Sequence, residues 1–120
     1  MKMPGLSEQQ IQAQIVAYLR QVKPPCLWFA INNNPRSARD GVRLQSMGLM
    51  AGVADLCFIW RRGTRTFPFI DFVEIKTAKG RQSEHQKTFE VLAQRAGAQY
   101  SIWRSVDDAQ AALKEWGLVR

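Results

Sequence analysis

Ala54-Asp55-Leu56-Cys57-Phe58-Ile59-Trp60 is apolar but for one acid, and Arg61-Arg62-Gly63-Thr64-Arg65 follows it as a polar, glycine-containing turn. The chain then returns through Thr66 to Lys76, rich in aromatic and β-branched residues and ending in Val73-Glu74-Ile75-Lys76. Two such runs around a short turn predict an antiparallel hairpin. Pro68 cannot donate to a ladder, which predicts an edge position or a bulge in the returning strand. Residues two apart in a strand share a face, so Glu74 and Lys76 point one way while Val73 and Ile75 enter the opposite layer. A hairpin can bring Asp55, nineteen positions before Glu74, beside them.

Outward from the hairpin, Ser7-Glu8-Gln9-Gln10 has the form of a capping box, and Ile11, Ile15, Val16, Leu19 and Val22 follow at helical spacing until Pro24-Pro25 forbids continuation. Cys26 to Ile31 reads as a short strand closed by Asn32-Asn33-Asn34-Pro35. Arg36 to Met47 is read as a short helix ending near Gly48, with Arg36, Arg39 and Arg43 on its wet side. Beyond the hairpin, Ser83 caps a helix running through Ala96, Gln86 completes a second Ser-x-x-Gln box, and Gly97 is the stop. Tyr100 to Trp103 is a fourth strand, and Ser105 with Asp107 and Asp108 opens a last helix that reaches Trp116 and stops at Gly117. The order α, β, α, β, β, α, β, α predicts an α/β fold with a mixed central sheet flanked by helices on both faces. At 120 residues the chain forms one domain, 1–120.

A hydrophobic content of 46% with 22% charged residues is that of a globular chain and excludes a disordered one. Seventeen basic against ten acidic residues leave a net charge of +7, a field suited to a polyanion such as DNA, although a merely solubilising charge would look the same. Cys26 and Cys57 sit in apolar runs and read as small core residues. The only histidine is His85, so no zinc site is expected. No signal peptide or membrane-length apolar run is visible, and a cytoplasmic location is expected, in a bacterium or a phage-infected host cell. The four Trp and six Phe are read as core, with Trp60 and Trp116 left open for base stacking.

Two carboxylates converging on one point repel unless a cation sits between them, and hard oxygen donors suit Mg²⁺ or Mn²⁺. Phosphodiester hydrolysis uses such an ion, and a compact cation such as Lys76 can orient the water or offset developing negative charge. A bare Glu-x-Lys is common by chance, and alone it reads as ordinary strand-end charges rather than as a site. Its context decides. Ser-Glu-Gln-Gln-Ile-Gln near the start, Gly52-Val53-Ala54-Asp55-Leu56, Glu74-Ile75-Lys76-Thr77, Gly80-Arg81-Gln82-Ser83-Glu84-His85-Gln86 and Gly97-Ala98 follow in order over almost the whole chain. In these the sequence resembles the PD-(D/E)xK nuclease superfamily and, within it, the VRR-NUC family of virus-type replication and repair nucleases. Ala54 stands where the superfamily pattern has proline, a position that shapes the turn rather than the chemistry.

The resemblance implies a restriction-endonuclease-like core and a metal-dependent DNA endonuclease of the small stand-alone type. It makes Asp55 and Glu74 metal ligands with the Ile75 carbonyl, Lys76 the catalytic lysine, and Glu8 a further acid at the metal, directly or through water. Glu8 shares a helical stripe with Gln12, Ile15 and Leu19, but a purely capping role suits it equally. Gln86 resembles the family's helix-borne glutamine. Its other reading is the capping box, and one side chain is not expected to do both; the site role is preferred. Arg36, Arg39, Arg43, Lys79 and Arg81 are candidate phosphate contacts, with His85 beside them. Small members of the family resemble Holliday-junction resolvases, which implies branched DNA and a homodimer. Leu44, Met47, Leu49 and Met50 form an apolar segment that reads equally as a pairing surface or as a cover for the core edge beside Asp55. The alternatives are a nuclease component of a larger repair or helicase assembly, or a catalytically silent nucleic-acid-binding module, against which the intact acids argue.

Overall fold

A computed structural model describes residues 5–31, 37–64 and 67–120. The elements run α1 (Glu8–Val22), β1 (Leu27–Ala30), α2 (Ala38–Ser46), β2 (Leu56–Trp60), β3 (Phe69–Ile75), α3 (Glu84–Arg95), β4 (Gln99–Trp103) and α4 (Val106–Glu115). They form the mixed sheet expected from the sequence, in the order β1-β2-β3-β4, with β1, β2 and β3 antiparallel and β4 parallel to β3. A parallel neighbour needs a crossover, and α3 supplies it.

Local chemistry sets the helix ends. Ser7 and Gln10 exchange both bonds of a capping box at the start of α1, and Ser83 with Gln86 repeats it at α3. α1 ends where Lys23 turns into the left-handed region with φ 48° and bonds back to the Leu19 carbonyl. Pro24 follows and has no N–H to extend the helix.

Alternation along the strands divides the core. Leu56, Phe58, Trp60, Val73, Ile75 and Trp103 pack against Ile11, Ile15 and Leu19 of α1 and against Ala109 and Leu113 of α4, with Trp116 just beyond it. On the opposite face Ala54, Phe72 and Tyr100 meet Phe89 and Ala93 of α3. Burying each such large side chain stabilises the fold by about 1.5–3 kcal/mol, enough to override weak local preferences.

Two expectations change. β3 lies between β2 and β4, so it is an inner strand; Pro68 precedes its first residue, where the missing N–H costs no ladder bond. Trp60 and Trp116 are both buried and stack on each other with ring centres 5.2 Å apart, which removes them as base-stacking surfaces. Cys57 is buried as expected and Cys26 half-buried at the core edge. No helix among the described residues is long and apolar enough to cross a membrane.

Asp71 is an unexpected acid in this core. It is buried, and its Oδ2 accepts a 2.8 Å bond from the Trp60 indole N–H. Burial pushes its carboxyl above the ordinary range, opposed by the Trp60 bond and reinforced by Glu115. A raised folded pKa means the unfolded chain gives up its proton first, so stability falls as pH climbs from about 4 towards the folded value. Asp71→Asn keeps an acceptor for Trp60 and removes the charge. Melting curves should coincide at about pH 4 and favour the Asn variant at pH 7; a less stable Asn variant at pH 7 would show that the carboxylate is favoured in the fold.

Candidate active site

Asp55 stands one residue before β2 and extends its ladder. Its N–H donates to Val73 O at 3.1 Å, and its own carbonyl accepts from Ile31 N at 2.8 Å. With the backbone held from both sides, the side chain is aimed across to β3, where Oδ2 accepts from the Ile75 N–H at 2.7 Å. Glu74 and Lys76 share a face, as period two requires, while Val73 and Ile75 enter the α1–α4 core.

Glu74 is 2% exposed. Its Oε2 accepts from the Gln86 amide at 3.1 Å and lies 4.0 Å from Lys76 Nζ; its Oε1 is buried without a hydrogen-bond partner. Burial, with the Asp55 carboxyl beside it, pushes Glu74 up to about 9, and Lys76 offsets only part of this. Lys76 is itself almost buried, with Nζ 4.0 Å from both Glu74 and Glu8. Glu8, in the first turn of α1, is exposed at the rim of a cleft of about 360 Å³ that Asp55, Glu74 and Gln86 also line. Gln12 is half-buried and borders a neighbouring hollow together with Glu8 and Asp55.

Gln86 closes the capping box and also bonds Glu74, two contacts that one side chain was not expected to make together. Its Oε1 accepts from Ser83 N at 2.9 Å, closing the capping box, while its Nε2 donates to Glu74. A side-chain amide carries its acceptor and donors on opposite branches, so one residue can serve helix and carboxylate together.

The candidate phosphate contacts are spread more widely. Arg36 lies outside the described residues. Arg39 and Arg43 are exposed on α2, and Arg43 pairs with Asp40 at 3.0 Å. It is Gly41 and Gln45 of that helix that line the cleft. Lys79 is exposed in the turn after Lys76 and Arg81 just beyond it, and His85 is exposed at the cleft mouth. Met47 is 78% exposed and Met50 39%, whereas Leu44 and Leu49 are half-buried.

Two residues touch the segments of the candidate site in ways the sequence concealed. Gly52, with φ 80°, lets the segment before Asp55 lie against the start of α3; a Cβ there would come within 2.3 Å of the His85 carbonyl group. Its only sequence signal is its place in Gly-Val-Ala-Asp. Arg104, at the end of β4, reaches back to the turn after Lys76, and nothing local announces it.

Among the described residues no three of His, Cys, Asp and Glu stand together at ligand spacing. Asp55 and Glu74 are the two carboxylates that a cation in the cleft could share. Such a donor set fits Mg²⁺ or Mn²⁺, because Mg²⁺ commonly takes one or two carboxylates and keeps water and phosphate oxygens. The unpartnered Glu74 Oε1 is the structural mark of that fit, being a buried acceptor that a cation would satisfy.

No family model and no curated protein matches the sequence. A solved structure described as a VRR_NUC domain protein is similar over 97% of this chain and 93% of its own, at 17% identity and a TM-score of 0.69. The mixed four-stranded sheet, flanked by α1 and α4 on one face and α3 on the other, is thus the fold of a VRR_NUC domain.

Proposed function

We propose that this chain is a metal-dependent DNA endonuclease of the PD-(D/E)xK type, with Asp55, Glu74, Lys76 and Gln86 as its cleavage centre. The observation that carries the reading is the buried Glu74 carboxyl, its Oε1 unpartnered, beside the half-buried Asp55 on one cleft and 4.0 Å from a nearly buried lysine. Mg²⁺ or Mn²⁺ held by Asp55 and Glu74, with the Ile75 carbonyl and Glu8 completing or flanking the set, would neutralise phosphate charge and make water a better nucleophile. The remaining work belongs to the chain. The Ile75 N–H fixes the Asp55 carboxylate, the Gln86 amide fixes Glu74, and Lys76 places a positive charge between Glu8 and Glu74, where it offsets charge developing on the scissile phosphate.

The net charge of +7 supports DNA as the substrate, with Arg36, Arg39, Arg43, Lys79 and Arg81 as phosphate contacts, and affinity should fall steeply with salt. One domain with one site would cut opposed strands of a branched duplex as a two-fold homodimer. Val42 of α2, a helix with no buried residue, and Met47 at its C-cap are exposed apolar residues and support this region as the pairing surface. A helicase or repair partner could recruit such a domain to its target.

The test is cleavage of labelled duplex, single strand, flap and four-way junction in Mg²⁺, Mn²⁺ or EDTA. Cutting is expected with either metal and none with chelator, strongest on the junction. Robust cleavage in EDTA would sink the mechanism. Light scattering on the same protein and on Met47→Asp should show a dimer that the variant weakens; a monomeric wild type that makes paired cuts would refute the pairing.

A further inference from the structure

Arg104, far from Lys76 in sequence, bonds the turn that leaves it. Arg104 is half-buried, and its Nη1 donates to Thr77 O at 2.6 Å and Gly80 O at 2.8 Å, with Ala78 O at 3.4 Å. All three carbonyls belong to the turn that leaves Lys76, which Gly80 N closes by donating to Thr77 O at 3.1 Å. Carbonyl oxygens in one turn repel one another when crowded together, and a cation among them offsets this with charge-assisted bonds. Gly80 lies over the lysine stem: a Cβ there would come within 3.5 Å of Lys76 Cδ and 2.9 Å of Thr77 Oγ1. The Arg104 backbone is in turn fixed, its N–H donating to Asp108 Oδ2 at 2.7 Å in the first turn of α4. Trp103, the preceding residue, accepts the Lys76 N–H at 3.0 Å.

From this chain of contacts we infer that Arg104 is a positioning residue, which clamps the Thr77–Gly80 turn over the Lys76 stem and so holds Nζ in place beside Glu8 and Glu74. The inference rests on the reading of Lys76 as part of a cleavage centre. It assigns Arg104 no contact with DNA, which separates it from the exposed basic residues Lys79 on the turn and Arg81 just after it.

Arg104→Met removes the cation at similar length, and Arg104→Lys keeps a terminal nitrogen with three donors. Three quantities are read on both variants and the wild type: hydrogen exchange at the Gly80 amide, the cleavage rate on saturating DNA in Mg²⁺, and the salt slope of DNA affinity in EDTA. In Arg104→Met the Gly80 amide should lose its protection and the rate should drop by about 10- to 100-fold, the scale of a slightly misplaced group. The salt slope should be unchanged, and Arg104→Lys should recover protection and rate together. Unchanged Gly80 exchange in the Met variant overturns the clamp, even if that variant melts lower. A salt slope reduced by about one makes Arg104 a phosphate ligand instead. A wild type that does not cut in Mg²⁺ brings down the nuclease reading, while the exchange measurement still decides whether Arg104 holds the turn.

Discussion

Replacing Glu74 with glutamine is expected to raise the melting temperature of the metal-free protein and to abolish cleavage. The two effects have one cause. Glu74 is buried beside Asp55, with one oxygen unpartnered and its carboxyl pushed up to about 9. Keeping an acid there costs the fold about 1–3 kcal/mol at neutral pH. Glutamine retains the shape and an oxygen for the Gln86 donor, and its own NH₂ can face Asp55 where a shared proton or a cation would otherwise sit. The melting temperature should rise by roughly 5 °C. Cleavage should fall by more than about 10³-fold, because a neutral amide no longer draws a divalent cation. Added Mg²⁺ should stabilise the wild type and not the variant. A variant that melts lower than wild type without metal, or that still cuts, would show Glu74 to be an ordinary structural acid.

The second large effect is expected at Gly52, and Gly48 provides its control. Both are glycines at positive φ, 80° and 101°, so alanine at either position carries the strain of the left-handed region, about 1 kcal/mol. Their surroundings differ. A Cβ at Gly48 meets nothing within 4 Å, whereas at Gly52 it collides with the His85 and Gln86 backbone. Backbone cannot rotate out of the way as a side chain can. The Gly52–Asp55 segment must then separate from α3, widening the gap that Gln86 bridges. Gly48→Ala should lower the melting temperature modestly and leave cleavage intact. Gly52→Ala should lose about 100-fold or more in rate at saturating DNA, as a displacement of about 1 Å would produce. Equal rates for the two variants would mean that the close approach at His85 has no bearing on the cleft.

The parts of the site readable in the sequence are those set by local rules. Strand alternation puts Glu74 and Lys76 on one face, the hairpin brings Asp55 to them, and Ser-x-x-Gln boxes mark both α1 and α3. What escaped reading depends on partners distant along the chain. Pro68 suggested an edge because the start of β3 was placed at Thr66 rather than at Phe69. Trp60 and Trp116 looked free because nothing local shows that they stack on each other. Gly52 lies against His85, and Arg104 bonds the turn after Lys76, neither contact having a sequence period.

Gln86 carries one more consequence. Its amide closes the first turn of α3 with one branch and restrains Glu74 with the other. Two events that share one rigid group are energetically reciprocal: whatever pulls the carboxylate from the amide loosens the helix end, and whatever frays the helix end loosens the carboxylate, by the same free energy. The helix is therefore a transducer for charge in the cleft. Its output is the lability of a single backbone hydrogen, the Ser83 N–H, which reports from the protein surface on an acid that solvent hardly reaches.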